Sequence, residues 1–429
     1  MVAERTATVL RGIGRWDLVA LMVNISIGAG MLGLPAKLFD LTHIYSLLVL
    51  VLCALLIGSI ALCFAEVGSR FSDSGGPYLF ARTALGPLPG FVVGWLYWIS
   101  RVLTFATICN LLVTYVGRYT PVLHAEGFRV VVVSIVVVGI TAIHLLGIRH
   151  ATIAGNALTL LKISFLAAFG LAGLYSGSAL PAATVAPRFD DLSDAMLLAV
   201  FAFVGFEAAL VSAGETRNPR RDVPFAIAAS LLIILMLYLG VQFVCVATVP
   251  GLAQSQTPLT DAAVALWGPA GEHLIAAGAV VIMLGSLNGG FLATTRLPFA
   301  FAEQGDLPPI LARVHARFRT PHVAILCSAV LVLVATLASS FLSAITLATS
   351  TRMVVYIAGC AALFALRRRT DVPPAAFVAP LGRTFATLAI TLSIALLASA
   401  SGGELMQLMI AAVSGVLIHL LQHRSLKAA

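Results

Sequence analysis

Apolar stretches of about 20 residues follow one another along the whole chain, and each is long enough to cross a bilayer as a helix. They lie near residues 16–39, 46–67, 88–118, 129–147, 153–176 and 193–213, then near 225–249, 271–302, 322–340, 342–366, 384–400 and 405–422. The expected fold class is therefore an all-α integral membrane protein with twelve transmembrane helices, a single transmembrane domain over 1–429. The longest polar interval, about 303–321, leaves no room for a separate soluble domain. With 60% of residues hydrophobic and 10% charged, a soluble globule with an ordinary charged surface is excluded. Met1 to Asp17 carries Arg5, Arg11 and Arg15 but no short apolar core ending in a cleavage site, so the first span is expected to stay as its own anchor.

The basic residues set the expected topology. With the N-terminus inside, 18 of the 26 Lys and Arg residues fall in cytoplasmic segments, Lys37, Arg118, Arg129 and Arg188 fall opposite, and Arg101, Lys162, Arg296 and Arg352 fall within spans. Positive loops are retained in the cytoplasm, so both termini are expected there, in the inner membrane. The net charge of +8 thus reports topology. It does not make a nucleic-acid surface, which needs basic residues gathered on one face of a soluble domain. The six cysteines, Cys53, Cys63, Cys109, Cys245, Cys327 and Cys360, lie scattered in apolar segments without metal-ligand spacing. No disulfide, metal or cofactor is expected.

Within the first span, Asn24 to Pro35 reads Asn-Ile-Ser-Ile-Gly-Ala-Gly-Met-Leu-Gly-Leu-Pro. Glycines and proline at membrane depth are tolerated where protein or a watery cavity covers the freed backbone. Such a break exposes amides to a small ligand, and the half-helix beyond it favours a carboxylate. The alternative is a glycine helix-packing face. A second landmark, Ala199 to Pro224, carries Gly205 and Glu207 in span six. Spans one and six are five apart, and an odd number of crossings per repeat inverts the second copy. The expected organisation is two inverted five-helix repeats, 16–176 and 193–366, with helices 11 and 12 (384–422) as an appendix.

A charge at the bilayer centre costs about 2.5 to 3.5 kcal/mol on insertion scales, so each embedded ionisable residue is a functional candidate. Lys162 reads either as a proton-coupling or cation-substituting group, or as a structural lysine held by carbonyls of the span-one break. Glu207 directly follows the second break and either braces its amides or senses a proton. Arg101 faces the cavity, or pairs internally, for instance with Glu207, or joins bundle to scaffold. Arg296 and Arg352 are placed nearer span ends, as packing or gate pairs. Phe201, Phe203 and Phe206 either cap an apolar substrate group or pack the helix. Ser286 and Asn288, among Gly285, Gly289 and Gly290, mark a cavity-facing or close-packed stretch. Phosphate loops, His-Glu-x-x-His and nucleophile elbows are absent from the sequence, so no enzyme is expected. A lone chain with two internal breaks suits an occluded midplane site rather than a channel.

These residues resemble those of the amino acid-polyamine-organocation (APC) superfamily, bacterial amino acid permease branch, over nearly the whole chain. Ile27-Gly28-Ala29-Gly30 is similar to the family's span-one break, and Glu66 to Arg70 through Gly75-Gly76-Pro77-Tyr78 to its loop after span two. Gly205-Phe206-Glu207 with Glu215 to Arg220, and Gly305-Asp306-Leu307-Pro308 to Thr320-Pro321, resemble the span-six break and the loop after span eight. The resemblance implies a LeuT-like 5+5 fold with broken helices 1 and 6, working by alternating access. It implies that Ile27, Gly28, Ala29 and Gly30, with Ala202, Phe203 and Gly205, hold the α-carboxylate and α-amino groups, with Phe201 as aromatic gate. It matches Lys162 to a lysine that takes the place of a sodium ion in some members. Ala29 stands where serine is commoner, leaving that contact to backbone. Arg101 stands where many members have a small residue, which leaves an acidic substrate and an internally paired arginine as the readings. The function expected is proton-coupled uptake of an amino acid. Exchange or efflux, and a membrane sensor that binds an amino acid without moving it, are the alternatives.

Overall fold

In a hydrocarbon slab every backbone amide must be satisfied within its own segment, and the computed structural model meets this with helices. It describes residues 12–71, 73–117, 126–182, 186–211, 215–339, 341–398 and 402–428, and among these no strand exceeds a one-residue bridge between Ile13 and Thr216. The first half contains α1 (Arg15–Ser26), α2 (Ala29–Thr42), α3 (Ser46–Gly68), α4 (Pro77–Leu85), α5 (Pro87–Gly117), α6 (Glu126–Leu145), α7 (Ile148–Tyr175), α8 (Phe189–Ala202) and α9 (Phe206–Val211). The second contains α10 (Pro219–Thr248), α11 (Pro258–Trp267), α12 (Pro269–Glu303), α13 (His322–Ala338), α14 (Phe341–Leu366), α15 (Gly382–Ala398) and α16 (Gly402–Ala428).

Among the described residues, seven segments are long and apolar enough to cross a membrane: Gly30–Gly68, Pro87–Val113, Gly127–Leu145, Ile148–Tyr175, Pro219–Thr248, Pro269–Glu303 and Gly402–Gln422. Three shorter apolar helices, His322–Ala338, Ser350–Leu366 and Gly382–Ala395, accompany them. The stretch at 16–39 is divided between α1 and α2, and that at 193–213 between α8 and α9. Pro35 does not close the first interruption: it lies inside α2, and the helix resumes at Ala29. Two helices were not anticipated. α4 and α11 are only 9 and 10 residues long, both entered through a proline in the first turn.

α12 is the central post, with every residue from Gly285 to Ala302 buried. α1 packs against it and against α7, α9 and α10, while α5 packs along α12, α13 and α14. α15 lies on α3 and α14, and α16 on α5 and α14. Large apolar side chains cover the outer faces instead, including Ile135, Val138, Leu160, Leu161, Met409 and Ile410. An apolar exterior of this extent matches a lipid solvent. Arg5, Arg11 and Arg118, and the side chains of Ala29, Phe201, Arg424 and Lys427, lie outside the described residues.

Candidate functional site

The two interruptions meet. α1 ends at Ser26, Ile27 leaves the helical conformation at φ −80°, ψ 91°, and Gly28 is extended at φ −131°, ψ −143° before α2 begins. In the second, α8 ends at Ala202 and the chain turns at Gly205 with φ +133°. Only glycine adopts that angle without strain. A Cβ there would also lie 2.7 Å from the Ser26 hydroxyl and 2.9 Å from the Ser26 amide nitrogen, so the second break is seated directly on the end of the first. One side chain serves both. The buried Tyr238 hydroxyl of α10 donates to the Ala202 carbonyl at 2.7 Å and lies 3.1 Å from the Ser26 carbonyl. Phe203 meets the Tyr238 ring edge-on at 5.2 Å.

Lys162, on α7, reaches the first break from the side. Its ammonium donates to the carbonyls of Asn24 at 2.8 Å and Ile27 at 2.6 Å and to the Ser286 hydroxyl at 3.1 Å. Three donors thus have three neutral acceptors, and no carboxylate is among them. Ser286 sits 2.9 and 2.7 Å from the same two carbonyls, and the Asn24 amide donates to the Gly285 carbonyl at 2.8 Å. The break is therefore tied to α12 and α7 through one cation and two small polar side chains.

Glu207 anchors the second break. Its carboxylate accepts the Gly205 amide at 3.0 Å and the Tyr356 hydroxyl at 3.4 Å, and lies 3.2 Å from Arg352 Nε. The internal pairing considered for Arg101 thus goes to Arg352. Arg352 also stands in the middle of α14 rather than near a span end, and it donates to Thr104 at 3.3 Å. Phe206 stacks on Tyr356 and meets Phe64 edge-on, which makes it packing. Arg101 is buried at 2% exposure, and its Nε and Nη1 have no hydrogen-bond partner among the described residues. Sequence reasoning found Lys162, Glu207 and Arg101 because they are charged. It missed Tyr238, Tyr356 and Tyr97, whose hydroxyls lie in apolar helices and carry no comparable signal.

Away from the breaks, Asn288 turns toward α6 and α7, where it meets His144 at 3.2 Å and donates to the Ala151 carbonyl at 3.2 Å. It lines a narrow cleft, of about 20 Å³ open to water, with Asp17, Leu21, His144, Asn156 and Gly289. At the α1 entrance, the Ile13 amide donates to the Glu215 carbonyl at 3.0 Å and the Arg217 amide to the Ile13 carbonyl at 2.9 Å. The Glu215 carboxylate pairs with buried Arg296 at 2.8 Å, fastening the same segment to α12. The motif loops are joined as well: Tyr78 donates to Asp306 at 2.6 Å, with Arg82 on the same carboxylate, and Arg367 grips Glu66 through two bonds of 2.7 and 2.6 Å.

Among the described residues no group of three or more His, Cys, Asp or Glu side chains could hold a metal ion. Comparison with known proteins gives a consistent picture. The model of the amino acid permease family matches residues 13–419. The chain is 27% identical to the serine/threonine exchanger SteT of Bacillus subtilis over 401 residues, 90% of this chain and 90% of that protein. It is 28% identical to the branched-chain amino acid permease BcaP of Bacillus subtilis over 73% of this chain and 72% of that one. It is also 30% identical to the uncharacterized transporter Rv1999c of Mycobacterium tuberculosis, over 72% and 70% of the two chains.

Proposed function

Because the chain belongs to the amino acid permease family of the APC superfamily, we propose that it is a secondary active transporter moving an amino acid across the cytoplasmic membrane by alternating access, with proton-coupled uptake as its mode. The observation that carries the reading is the shared seat of the two breaks, with Tyr238 bonded across the carbonyl ends of α1 and α8. In this reading the chain makes twelve crossings with both termini cytoplasmic. α1 with α2 forms the first and α8 with α9 the sixth, two inverted repeats cover 16–176 and 193–366, and 384–422 adds the last two helices.

Backbone at Ile27, Gly28, Ala29 and Gly30 receives the substrate α-carboxylate at the start of α2, where free amides and the helix dipole favour an anion. Carbonyls at Ala202 and Phe203, at the end of α8, and the turn at Gly205 receive the α-ammonium group. Phe201 closes the site as an aromatic gate, and Arg101 lines it. Lys162 occupies the position of a cation and couples the break to protons, with Glu207 holding the second break through the Gly205 amide. The reading asks for no cofactor and no chemistry on the substrate; its partners are the amino acid, protons and the bilayer. Release toward the cytoplasm runs through the cleft between α1, α6, α7 and α12.

Exchange is a second reading, favoured by the similarity to a serine/threonine exchanger along 90% of the chain and by the complete set of neutral acceptors around Lys162. Proteoliposome uptake of radiolabelled amino acids separates the two. Accumulation driven by an inward proton gradient, lost in Lys162→Ala, is the expected result. Uptake only into vesicles preloaded with unlabelled amino acid would make the protein an exchanger with Lys162 as a fixed cation. Binding without uptake would make it a sensor.

A further inference from the structure

Around the joined breaks the protein gathers three cations, Lys162, Arg101 and Arg352, and one carboxylate, Glu207. Lys162 has its carbonyls and Arg352 has Glu207. The Arg101 guanidinium has no hydrogen-bond partner among the described residues for its Nε and Nη1, and a buried polar group left in that state calls for an explanation. Its guanidinium lies against α12 at Gly290, where an added Cβ would come within 2.8 Å of Nη2. Gly290 is four residues beyond Ser286, about 6 Å along the helix, and Ser286 touches the Ile27 carbonyl at 2.7 Å. The head group therefore stands one helical turn from the serine that ties down the first break. Tyr97, one turn away on α5 and on the same face, is also buried with a hydroxyl that has no partner among the described residues.

We propose that Arg101, with Tyr97 beside it, receives a second carboxylate carried on the substrate side chain, so that the transported amino acid is acidic. The inference rests on the reading of the two breaks as the seat of the α-carboxylate and α-ammonium groups. Those groups form a zwitterion and bring no net charge. A neutral substrate would leave the buried Arg101 fork unanswered, and a cationic one would add a like charge to it. A side-chain carboxylate matches the planar fork through two parallel hydrogen bonds, and the bare backbone at Gly290 gives Arg101 itself the room to lie there. The carboxylate that would neutralise Arg101 from within is Glu207, and it is already held by the Gly205 amide, Tyr356 and Arg352.

The full-length protein in liposomes tests this with two matched pairs, L-[³H]glutamate against L-[³H]glutamine and L-[³H]aspartate against L-[³H]asparagine, in which size is equal and charge differs. The expected result is a KM lower for the acid by about tenfold or more, because a site built to bond a group rejects the analogue lacking its match. Arg101→Gln should bring that ratio near one, and Arg101→Lys should keep part of it. Equal or better uptake of the amides or of other neutral amino acids by the wild-type protein overturns the proposal and leaves the transporter reading standing. Neutral uptake that disappears when chloride is replaced by gluconate also overturns it, since Arg101 then holds an inorganic anion. Uptake and binding of no amino acid in either pair, or in a wider panel, bring down the transporter reading and the proposal together. If Arg101→Gln fails to fold, the wild-type ratio of acid to amide decides by itself.

Discussion

A hydroxyl has one proton to give, and Tyr238 is placed where two helix ends present carbonyls that no helical amide can reach. Removing it in Tyr238→Phe keeps the ring against Phe203 and leaves the Ala202 and Ser26 carbonyls without their shared donor. A buried acceptor stripped of its partner costs about 1–3 kcal/mol. The expected outcome is a lower melting temperature for the purified protein and weaker amino acid binding. Tyr175→Phe, at a position 88% exposed, serves as the control and should change neither. Whether these residues could be found from sequence depended on charge. Lys162 and Arg101 stand out because an ionised group is expensive in an apolar run, whereas a tyrosine in Leu-Tyr-Leu-Gly looks like any other apolar residue. The choice of Arg352 over Arg101 as partner for Glu207 could not be read at all, because it depends on how α5, α9 and α14 are rotated against each other.

Helices, like side chains, are held at their ends. The segment after α9 is gripped twice, by the backbone bonds from Ile13 and Arg217 and by the buried pair of Glu215 with Arg296. Breaking one half of a buried ion pair strands the other charge, at a cost of about 3–5 kcal/mol, whereas replacing both halves by apolar groups is far milder. Glu215→Leu should therefore lower the melting temperature sharply, and the double variant Glu215→Leu/Arg296→Met should recover part of the loss. A single variant that melts like the wild type would show that the segment is secured by its backbone bonds alone. The helix breaks were legible because glycine interrupts an apolar run visibly at Gly28 and Gly205. Pro35 misled the boundary: a proline past the first turn costs a helical hydrogen bond and usually marks a helix end, yet α2 runs through it. α4 and α11 were invisible to a search for 20-residue apolar stretches, being half that length and mixed in polarity.

On the scale of the molecule, the basic residues divide unevenly between the two ends of the bundle. Arg367, Arg368 and Arg369 follow α14, while Arg188 alone precedes α8 among the described connections there. The positive-inside bias then predicts that a fluorescent protein fused after Thr370 folds and fluoresces in the cytoplasm, and that alkaline phosphatase fused after Pro187 is active. The reverse pair of signals would invert the orientation and move the cleft beside Asp17 and His144 to the outer face. Hydropathy made the apolar helices legible in the sequence, because the bilayer acts on averages over many residues. The contacts that make a site act on single atoms.

The seat of Gly205 on Ser26 has one further consequence, best put in genetic terms. Positions 26 and 205 are far apart in the chain, yet their atoms occupy adjoining space, so neither is free to change size alone. A lesion that adds bulk at 205 would meet the backbone of Ser26 as well as its hydroxyl, so no smaller side chain at 26 could fully suppress it, and the glycine at 205 is fixed by a segment in the other half of the sequence.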